Sequence, residues 1–237
     1  YQLHLKKLKI HKDKLLQIAK IGLPAGMQGA IFSISNVLIQ SSINSFGSLA
    51  MAGSTAAANI EGFVYVSMNS FYQASLSFTG QNLGAGKYER INRIMGICII
   101  LVSIVGFVMG FGAYLLGDIL LRLYSSDPVV ISYGIERLLV ICSVYFLCGI
   151  MDVLVGSLRG IGYSIVPMIV SIVGVCSIRI VWLYTVFAQH HSLFALYLSY
   201  PVSWIATGAF HFFSFLYIKR KIINKRQLAA TTGTEIC

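Results

Sequence analysis

The chain has 237 residues, of which 57% are hydrophobic and 11% are charged, with a formal net charge of +10. A soluble domain carries about 25% charged residues, so this chain lacks the polar shell that a water-soluble core requires. Its five cysteines form no Cys-x-x-Cys pair, and no nucleophile–base pair stands out, so we expect no disulfide framework, metal site, cofactor or enzymatic activity.

Six long apolar runs dominate the chain, and each is long enough to cross a bilayer, for which about 20 residues suffice. This pattern predicts an all-α integral membrane protein, a six-transmembrane-helix bundle over residues 21–218. Residues 1–20, with six lysines among leucines, predict a basic amphipathic connector, and residues 219–237 predict a basic, disordered tail. The runs are 21–46, 49–79, 94–116, 129–158, 165–187 and 194–218.

Polar side chains inside the first two runs are candidates for a transport path. Asn36 and Gln40 share one helical face in the first run, and a stripe of amides facing lipid would be costly. In the second run Glu61, Tyr65 and Tyr72 lie on roughly one face, and an acid inside a membrane helix is a functional candidate by default. Both stripes are also typical of hydrogen bonds between packed helices, so the two interpretations stay open.

The segment from Gly80 to Lys87 combines glycines with a lysine but does not match a phosphate-binding loop. That motif requires Gly-x4-Gly-Lys-Ser/Thr after a strand, and here Tyr88 follows the lysine. We therefore expect a tight cytosolic turn at the membrane surface instead of a nucleotide site.

Two short-range signals in the middle of the chain predict local structure. Gly106 and Gly110 are four residues apart, a spacing that permits two helices to approach closely. Asp127 followed by Pro128 predicts a helix that begins with an aspartate cap and a proline in the first turn.

The second half of the chain places ionisable side chains inside apolar runs. Asp152 lies near the end of the fourth run, roughly two helical turns before Arg159, or about 10 Å away. Arg137, in the same run, can snorkel outward or find a partner on another helix. Arg179 lies in the fifth run, where an arginine normally faces the bundle interior and a partner. His211, in the sixth run, is a candidate proton relay, although such a residue is more often a hydrogen-bonded core histidine.

The basic residues predict the orientation of the chain. Six spans place both termini on one side, which carries the lysines of 1–20, the basic residues of 87–93, Arg159 and the tail, whereas Arg122 alone lies opposite. The positive-inside rule then puts both termini in the cytoplasm of a multi-pass protein of the cell inner (plasma) membrane. Topology thus explains the positive charge, and no nucleic-acid partner is expected.

Four segments carry a recognisable combination of motifs, of which the Gly-Gln-Asn-x-Gly-Ala-Gly turn is the most specific. They are Ile21-Gly22-Leu23-Pro24-Ala25-Gly26, Gly80-Gln81-Asn82-Leu83-Gly84-Ala85-Gly86-Lys87, Ser157-Leu158-Arg159-Gly160-Ile161-Gly162 leading to Pro167, and Arg179 with Trp182. With these motifs, residues from about 22 to 218 resemble the C-terminal six-helix lobe of a bacterial MATE-type multidrug exporter.

The resemblance implies one lobe of a twelve-helix, two-lobe antiporter that expels cationic or amphipathic drugs by alternating access, driven by a sodium or proton gradient. The implied partners are small organic cations, the lipid bilayer and a second six-helix lobe, either upstream in a longer chain or in a second copy. We therefore expect this chain to be part of a longer protein. Candidate residues of the substrate and cation path are Glu61 and Asp152 for charge, with Asn36, Gln40, Tyr65, Tyr72, His211 and Arg179.

The chain departs from the family pattern in its acids. Some members bind the coupling cation with a glutamate in the seventh span and an aspartate in the tenth, but the first run here has no acid. Asp152 lies one turn nearer the cytosol than the family aspartate, whose place is taken by Cys148, so Glu61 is a comparable candidate. Two alternatives stay open: a lipid-linked-sugar flippase of the same superfamily, and a non-transporting membrane assembly subunit.

Overall fold

A computed structural model describes residue 9 and residues 11–232, with side chains described as far as residue 221, and these residues form eight helices and no strand. The expected all-α membrane architecture is confirmed. The helices are α1 (Lys12–Asn44), α2 (Ser48–Gly84), α3 (Glu89–Leu115), α4 (Gly117–Arg122), α5 (Pro128–Cys142), α6 (Phe146–Gly160), α7 (Ile165–Phe187) and α8 (Leu193–Thr232).

Within the described residues, α1, α3, α7 and α8 are each long and apolar enough to cross a membrane, and α5 with α6 forms a fifth candidate span. Helix α2 has 37 residues, but no 18-residue stretch of it reaches the mean hydropathy of these spans. It lies at the centre of the lobe, packed against α3, α5 and α6, and its buried polar side chains, Ser54, Glu61, Ser75 and Thr79, meet protein instead of lipid. The six predicted runs thus correspond to six helical units.

The element boundaries differ from the sequence prediction at several places. The fourth run bends by 46° between α5 and α6. Helix α2 continues to Gly84, so only residues 85–88 form the turn that we expected to begin at Gly80. The connector is helical from Lys12 onward, and the helix that begins at Leu193 continues into the tail as far as Thr232. The rest of both segments lies outside the described residues.

Helices α2 and α6 end in the same way. Gly86 has φ +72° and Gly162 has φ +90°, a left-handed conformation that glycine adopts without a Cβ clash. The following backbone N–H groups reach back into the helix: Lys87 donates to the Asn82 carbonyl at 2.9 Å and Tyr163 donates to the Leu158 carbonyl at 3.0 Å. These bonds satisfy carbonyls that the helix ends would otherwise leave unpaired.

Helices α2 and α6 approach each other closely along a line of small residues. A Cβ at Gly156 would lie 2.7 Å from the Tyr72 carbonyl oxygen, so no larger side chain fits there. On the same face the Ser75 and Ser157 hydroxyls are 2.8 Å apart. The two helices therefore form a closely packed centre, against which α3, α5 and α8 pack.

The two local predictions for the middle of the chain are confirmed. A Cβ at Gly106 would lie 2.9 Å from the Cα of Phe146, and one at Gly110 would meet the Cys142 carbonyl oxygen. The Asp127 carboxylate accepts a hydrogen bond from the Val129 N–H at 2.8 Å, with Pro128 in the first turn of α5.

Helix α1 lies at the edge of the lobe, where it contacts α2 and α7. Its buried side chains are Gln28, Ser35, Ile39 and Ile43, whereas many of its apolar side chains are exposed. The space between α1 and the central helices contains the candidate site.

Candidate functional site

Two adjoining cavities lie between α1 and the helices of the centre. The first has a volume of about 200 Å³ and is lined by α1, α2 and α6. The second has a volume of about 320 Å³ and is lined by α1, α2, α6, α7, α8 and the bend before α6. Phe32, Tyr65 and Asp152 line both cavities, so these side chains mark the place where the cavities meet.

Asp152 is the acid among the described residues that line these cavities. It is half-buried on α6, forms no ion pair within the described part of the chain and shares the lining of both cavities with Tyr65 of α2. A carboxylate held beside an aromatic ring, in a cavity at the edge of a membrane bundle, is suited to bind an organic cation, a metal cation or a proton.

Arg159 lies in the first cavity, on the same side of α6 as Asp152. Its Nη1 donates to the Tyr72 hydroxyl at 2.7 Å and its Nη2 donates to Oε1 of Gln28 at 2.8 Å. The guanidinium thus connects α1, α2 and α6. Arg159 was not among the predicted path residues, although its spacing of seven residues from Asp152 corresponds to nearly two full turns and so places both on one face.

Arg179 lies in the second cavity with its side chain only 6% exposed. Its Nε donates to the Ser203 hydroxyl at 3.2 Å and its Nη1 donates to Oδ1 of Asn36 at 3.3 Å. The guanidinium carbon lies 4.1 Å from the centre of the Tyr200 ring. All of these partners are neutral.

The aromatic wall of the second cavity was only partly visible in the sequence. The rings of Tyr145 and Trp204 stack with centroids 5.3 Å apart, and Tyr200 meets Trp204 edge-on at 5.8 Å. Helical periodicity could not show that the three rings line one cavity, because Tyr145 lies in the bend before α6 and the other two lie on α8.

The structure brings five of the eight predicted path residues to these cavities and leaves three outside their lining. Glu61 is buried elsewhere, Gln40 is half-buried on α1, and His211 is completely buried. The Nε2 of His211 lies 3.0 Å from the Ser171 hydroxyl, which agrees with the core interpretation. The five that line a cavity are Asn36, Tyr65, Tyr72, Asp152 and Arg179.

Glu61 forms a buried ion pair with Arg137. The guanidinium donates through Nε to Oε1 at 2.7 Å and through Nη2 to Oε2 at 2.9 Å, and its Nη1 donates to the Ser54 hydroxyl at 2.8 Å. The rings of Tyr197 and Tyr200 lie 5.5 and 5.9 Å from the guanidinium carbon. This cluster joins α2, α5 and α8, and neither charged residue lines the two cavities.

Among the described residues, no group of three or more His, Cys, Asp or Glu side chains is arranged to hold a metal ion. The charged groups available for chemistry in the cavities are therefore one carboxylate and two guanidiniums.

Comparison with known proteins identifies relatives for most of the chain. A sequence model of the MatE family matches residues 24–185. The chain is 23% identical over 173 residues to the probable multidrug resistance protein YoeA of Bacillus subtilis (strain 168), covering 73% of this chain and 37% of that protein. It is 23% identical over 164 residues to the probable multidrug resistance protein NorM of Thermotoga maritima, covering 69% of this chain and 35% of that protein.

Among solved structures, the fold is similar to the MATE transporter VcmN of Vibrio cholerae in its bent form. The TM-score is 0.80 at 19% sequence identity, and the match covers 92% of this chain and 49% of that one. The chain therefore spans about half the length of that structure and just over a third of the curated relatives.

Proposed function

Because the chain belongs to the MatE family, a family of multi-pass membrane transporters and not of enzymes, we propose that it forms one lobe of a secondary antiporter. In this proposal the complete protein exports cationic or amphipathic drugs by alternating access, coupled to sodium ions or protons. The observation that carries it is the position of Asp152, whose carboxylate lies where the two cavities meet and has no ion-pair partner among the described residues.

The proposed mechanism uses Asp152 for two competing cations. An organic cation gains from the carboxylate and from the aromatic rings of Tyr65 and Phe32 around it. A sodium ion or a proton at the same carboxylate removes that attraction. Net export then follows if the two ligands favour opposite states of the transporter, since a ligand shifts an equilibrium only through its different affinities for the two states.

Replacement of the carboxylate tests this role. We expect Asp152→Asn, in the protein at its native length, to abolish drug resistance without lowering the amount of protein in the membrane, because the amide keeps the size of the side chain but not its charge. The matched control is Asp118→Asn, an exposed acid that pairs with Arg122 on the surface. Resistance that survives in the Asp152 variant at equal membrane level would contradict the proposal.

The coupling ion requires a separate measurement. Export of a fluorescent cation into everted vesicles is compared under a sodium gradient alone and under a proton gradient alone. The gradient that drives export identifies the ion, and Asp152→Asn is expected to remove that dependence. Export that neither gradient drives would contradict secondary antiport.

A second six-helix lobe is part of the proposal. Many apolar side chains of α1 are exposed, and the chain spans about half of the similar transporter structure. The mass of the native polypeptide in its own membrane distinguishes the possibilities. A product of about twice this length indicates a lobe in the same chain, whereas a stable product of 26.0 kDa would direct attention to a pair of copies or to a non-transporting assembly subunit.

The orientation with both termini in the cytoplasm is also proposed, on the distribution of basic residues. Cysteine labelling of intact cells tests it, with one new cysteine at the exposed Lys87 and one at the exposed Leu123. We expect an impermeant reagent outside the cell to label the Leu123 variant but not the Lys87 variant, and the reverse pattern would invert the topology.

A lipid-linked-sugar flippase is a second candidate, and the observation that favours it is the presence of Arg159 and Arg179 in the cavities. A flippase would use these guanidiniums for phosphate and would depend little on Asp152. Flipping of a labelled lipid-linked sugar in proteoliposomes distinguishes the two functions, because loss in Arg159→Gln with retention in Asp152→Asn would favour the flippase.

A further inference from the structure

We infer that Arg179 forms a subsite for an oxyanion, so that the compound bound in the second cavity carries a negative group as well as a positive one. This inference deepens the proposed function, because it concerns the chemical class of the compound that the same cavity takes. It follows from the charge around Arg179, from the shape of the cavity and from the helix that presents the side chain.

The Arg179 guanidinium is buried without a countercharge. It is 6% exposed, yet within the described residues it forms no ion pair with any acid. Two of its donors meet the neutral oxygens of Ser203 and Asn36, and a guanidinium has five N–H donors. An arginine at membrane depth is costly and normally pairs with another ionisable side chain or with backbone carbonyls, so the remaining donors are available to a ligand.

The cavity is arranged for a compound with two opposite charges. Arg179 and Asp152 both line it, and Trp204 and Tyr145 supply a stacked aromatic wall. A cationic group then binds at the carboxylate, an oxyanion binds at the guanidinium, and a flat apolar body packs on the rings. With Arg159 in the first cavity, the lining of the two cavities carries one more positive than negative charge, which favours a compound with a negative group beside its positive one.

The helix that presents Arg179 is irregular on both sides of it. In α7 two stretches are π-helical, Ile172–Ser177 and Leu183–Phe187, and Arg179 lies in the α-helical turn between them. Such π-helical turns are rare overall, but where they occur they are often found at functional sites.

A matched pair of dyes tests the subsite directly. Rhodamine B carries a free carboxylate beside its cationic ring system, and its methyl ester keeps the ring system but not the anion. Binding of each dye to the purified protein at its native length, in phosphatidylcholine nanodiscs, is measured by fluorescence anisotropy. We expect the wild type to bind rhodamine B roughly tenfold more tightly than the ester, which is the size of one charge-assisted hydrogen bond.

The Arg179→Gln variant is expected to bind the two dyes with affinities that differ by no more than about twofold. The control is Arg122→Gln, which changes an exposed arginine that lines neither cavity and should keep the wild-type preference. Ester binding by Arg179→Gln that is at least as tight as in the wild type shows that the fold is intact. If that variant does not fold, Arg179→Lys decides the question, because it keeps the charge but not the planar pair of donors and should show a reduced preference. Equal binding by the wild type, or an unchanged preference in the Arg179 variants, would overturn the inference.

Two further arms separate the possible outcomes. In the first arm, phosphatidylglycerol is added to the nanodiscs. If it displaces rhodamine B from the wild type but not from Arg179→Gln, the oxyanion is a lipid phosphate. If it displaces nothing, the oxyanion is the carboxylate of a small amphiphile. Because anisotropy requires no transport, an Arg179-dependent preference without export supports the subsite and contradicts the export proposal. Export without that preference supports the export proposal and contradicts the subsite.

Discussion

Arg137 and Arg179 are two buried arginines that share a neighbour and differ in their charge balance. Each is 6% exposed, and each guanidinium lies beside the ring of Tyr200. Arg137 makes a two-pronged ion pair with Glu61, whereas Arg179 donates to a hydroxyl and an amide. Burial of an arginine therefore does not by itself indicate function; the presence or absence of a countercharge inside the protein separates the two.

The surroundings of the two arginines agree with this division. The Glu61–Arg137 pair lies outside both cavities and joins α2 to α5, so it holds the lobe together. Arg179 lines the second cavity, where a ligand can reach it. The comparison predicts that variants near Arg137 change stability and that variants of Arg179 change binding.

The largest expected effect comes from breaking the buried ion pair. Glu61→Gln leaves the Arg137 guanidinium buried without its countercharge, which costs roughly 3–5 kcal/mol of stability in such cases. We expect a clearly lower melting temperature of the purified protein, measured by thermal unfolding with fluorescence-detected chromatography. Drug export per correctly folded molecule should change far less than it does in Asp152→Asn.

Two further variants check the explanation. The double variant Glu61→Leu with Arg137→Met removes both charges and should be more stable than Glu61→Gln alone, because no unpaired charge remains. Asp118→Asn, which removes an exposed acid, should melt like the wild type. A double variant less stable than the single one would show that the pair contributes something other than charge balance.

An intermediate loss of stability is expected at the contact between α2 and α5, which brings Glu61 and Arg137 together. A Cβ at Gly53 of α2 would meet the Val130 carbonyl oxygen and lie 2.9 Å from the Cβ of Tyr133 on α5. Gly53→Ala should therefore separate the two helices and destabilise the protein by about 1–3 kcal/mol, the usual range for overpacking, in the same unfolding measurement.

Gly62 is the matched control for this substitution, because it lies in the same helix and a Cβ there meets nothing within 4 Å. Gly62→Ala should be neutral or slightly stabilising, since alanine is the better helix former. Equal destabilisation by both substitutions would show that the packing of α2 against α5 is not what holds the pair.

The smallest effect on stability is expected at Arg179. Arg179→Gln removes a buried charge without leaving an acid unpaired, so the free energy of unfolding should change by no more than about 1 kcal/mol, the size of an ordinary hydrogen bond. The unfolding temperatures of Arg179→Gln and Glu61→Gln are measured side by side. If Arg179→Gln lowers the unfolding temperature as much as Glu61→Gln does, both arginines stabilise the fold and the contrast between them disappears.

Much of the local structure was predictable because it depends on neighbours in the chain. Hydropathy located the apolar runs, Asp127 with Pro128 predicted the start of α5, and the spacing of Gly106 and Gly110 predicted a close helix contact. The bend between α5 and α6 was missed, because the apolar composition continues through it without a proline.

The site was predictable only in part, because helical periodicity shows which side chains share a face but not what that face meets. Tyr65 and Tyr72 were assigned to a face with Glu61, yet the tyrosines line the cavities and Glu61 turns to an arginine 76 residues away in the chain. Arg159 was overlooked because its partners Tyr72 and Gln28 lie on two other helices.

The membrane environment, the six helical units and the family could be predicted from the amino-acid sequence alone, since composition, hydrophobic period and short motifs are local properties. Which of the buried charges are neutralised became known from the packing of the helices. The partners of Arg137 and Arg179 come from helices distant in the chain, and electrostatic energy depends on distance in space, not on separation in sequence.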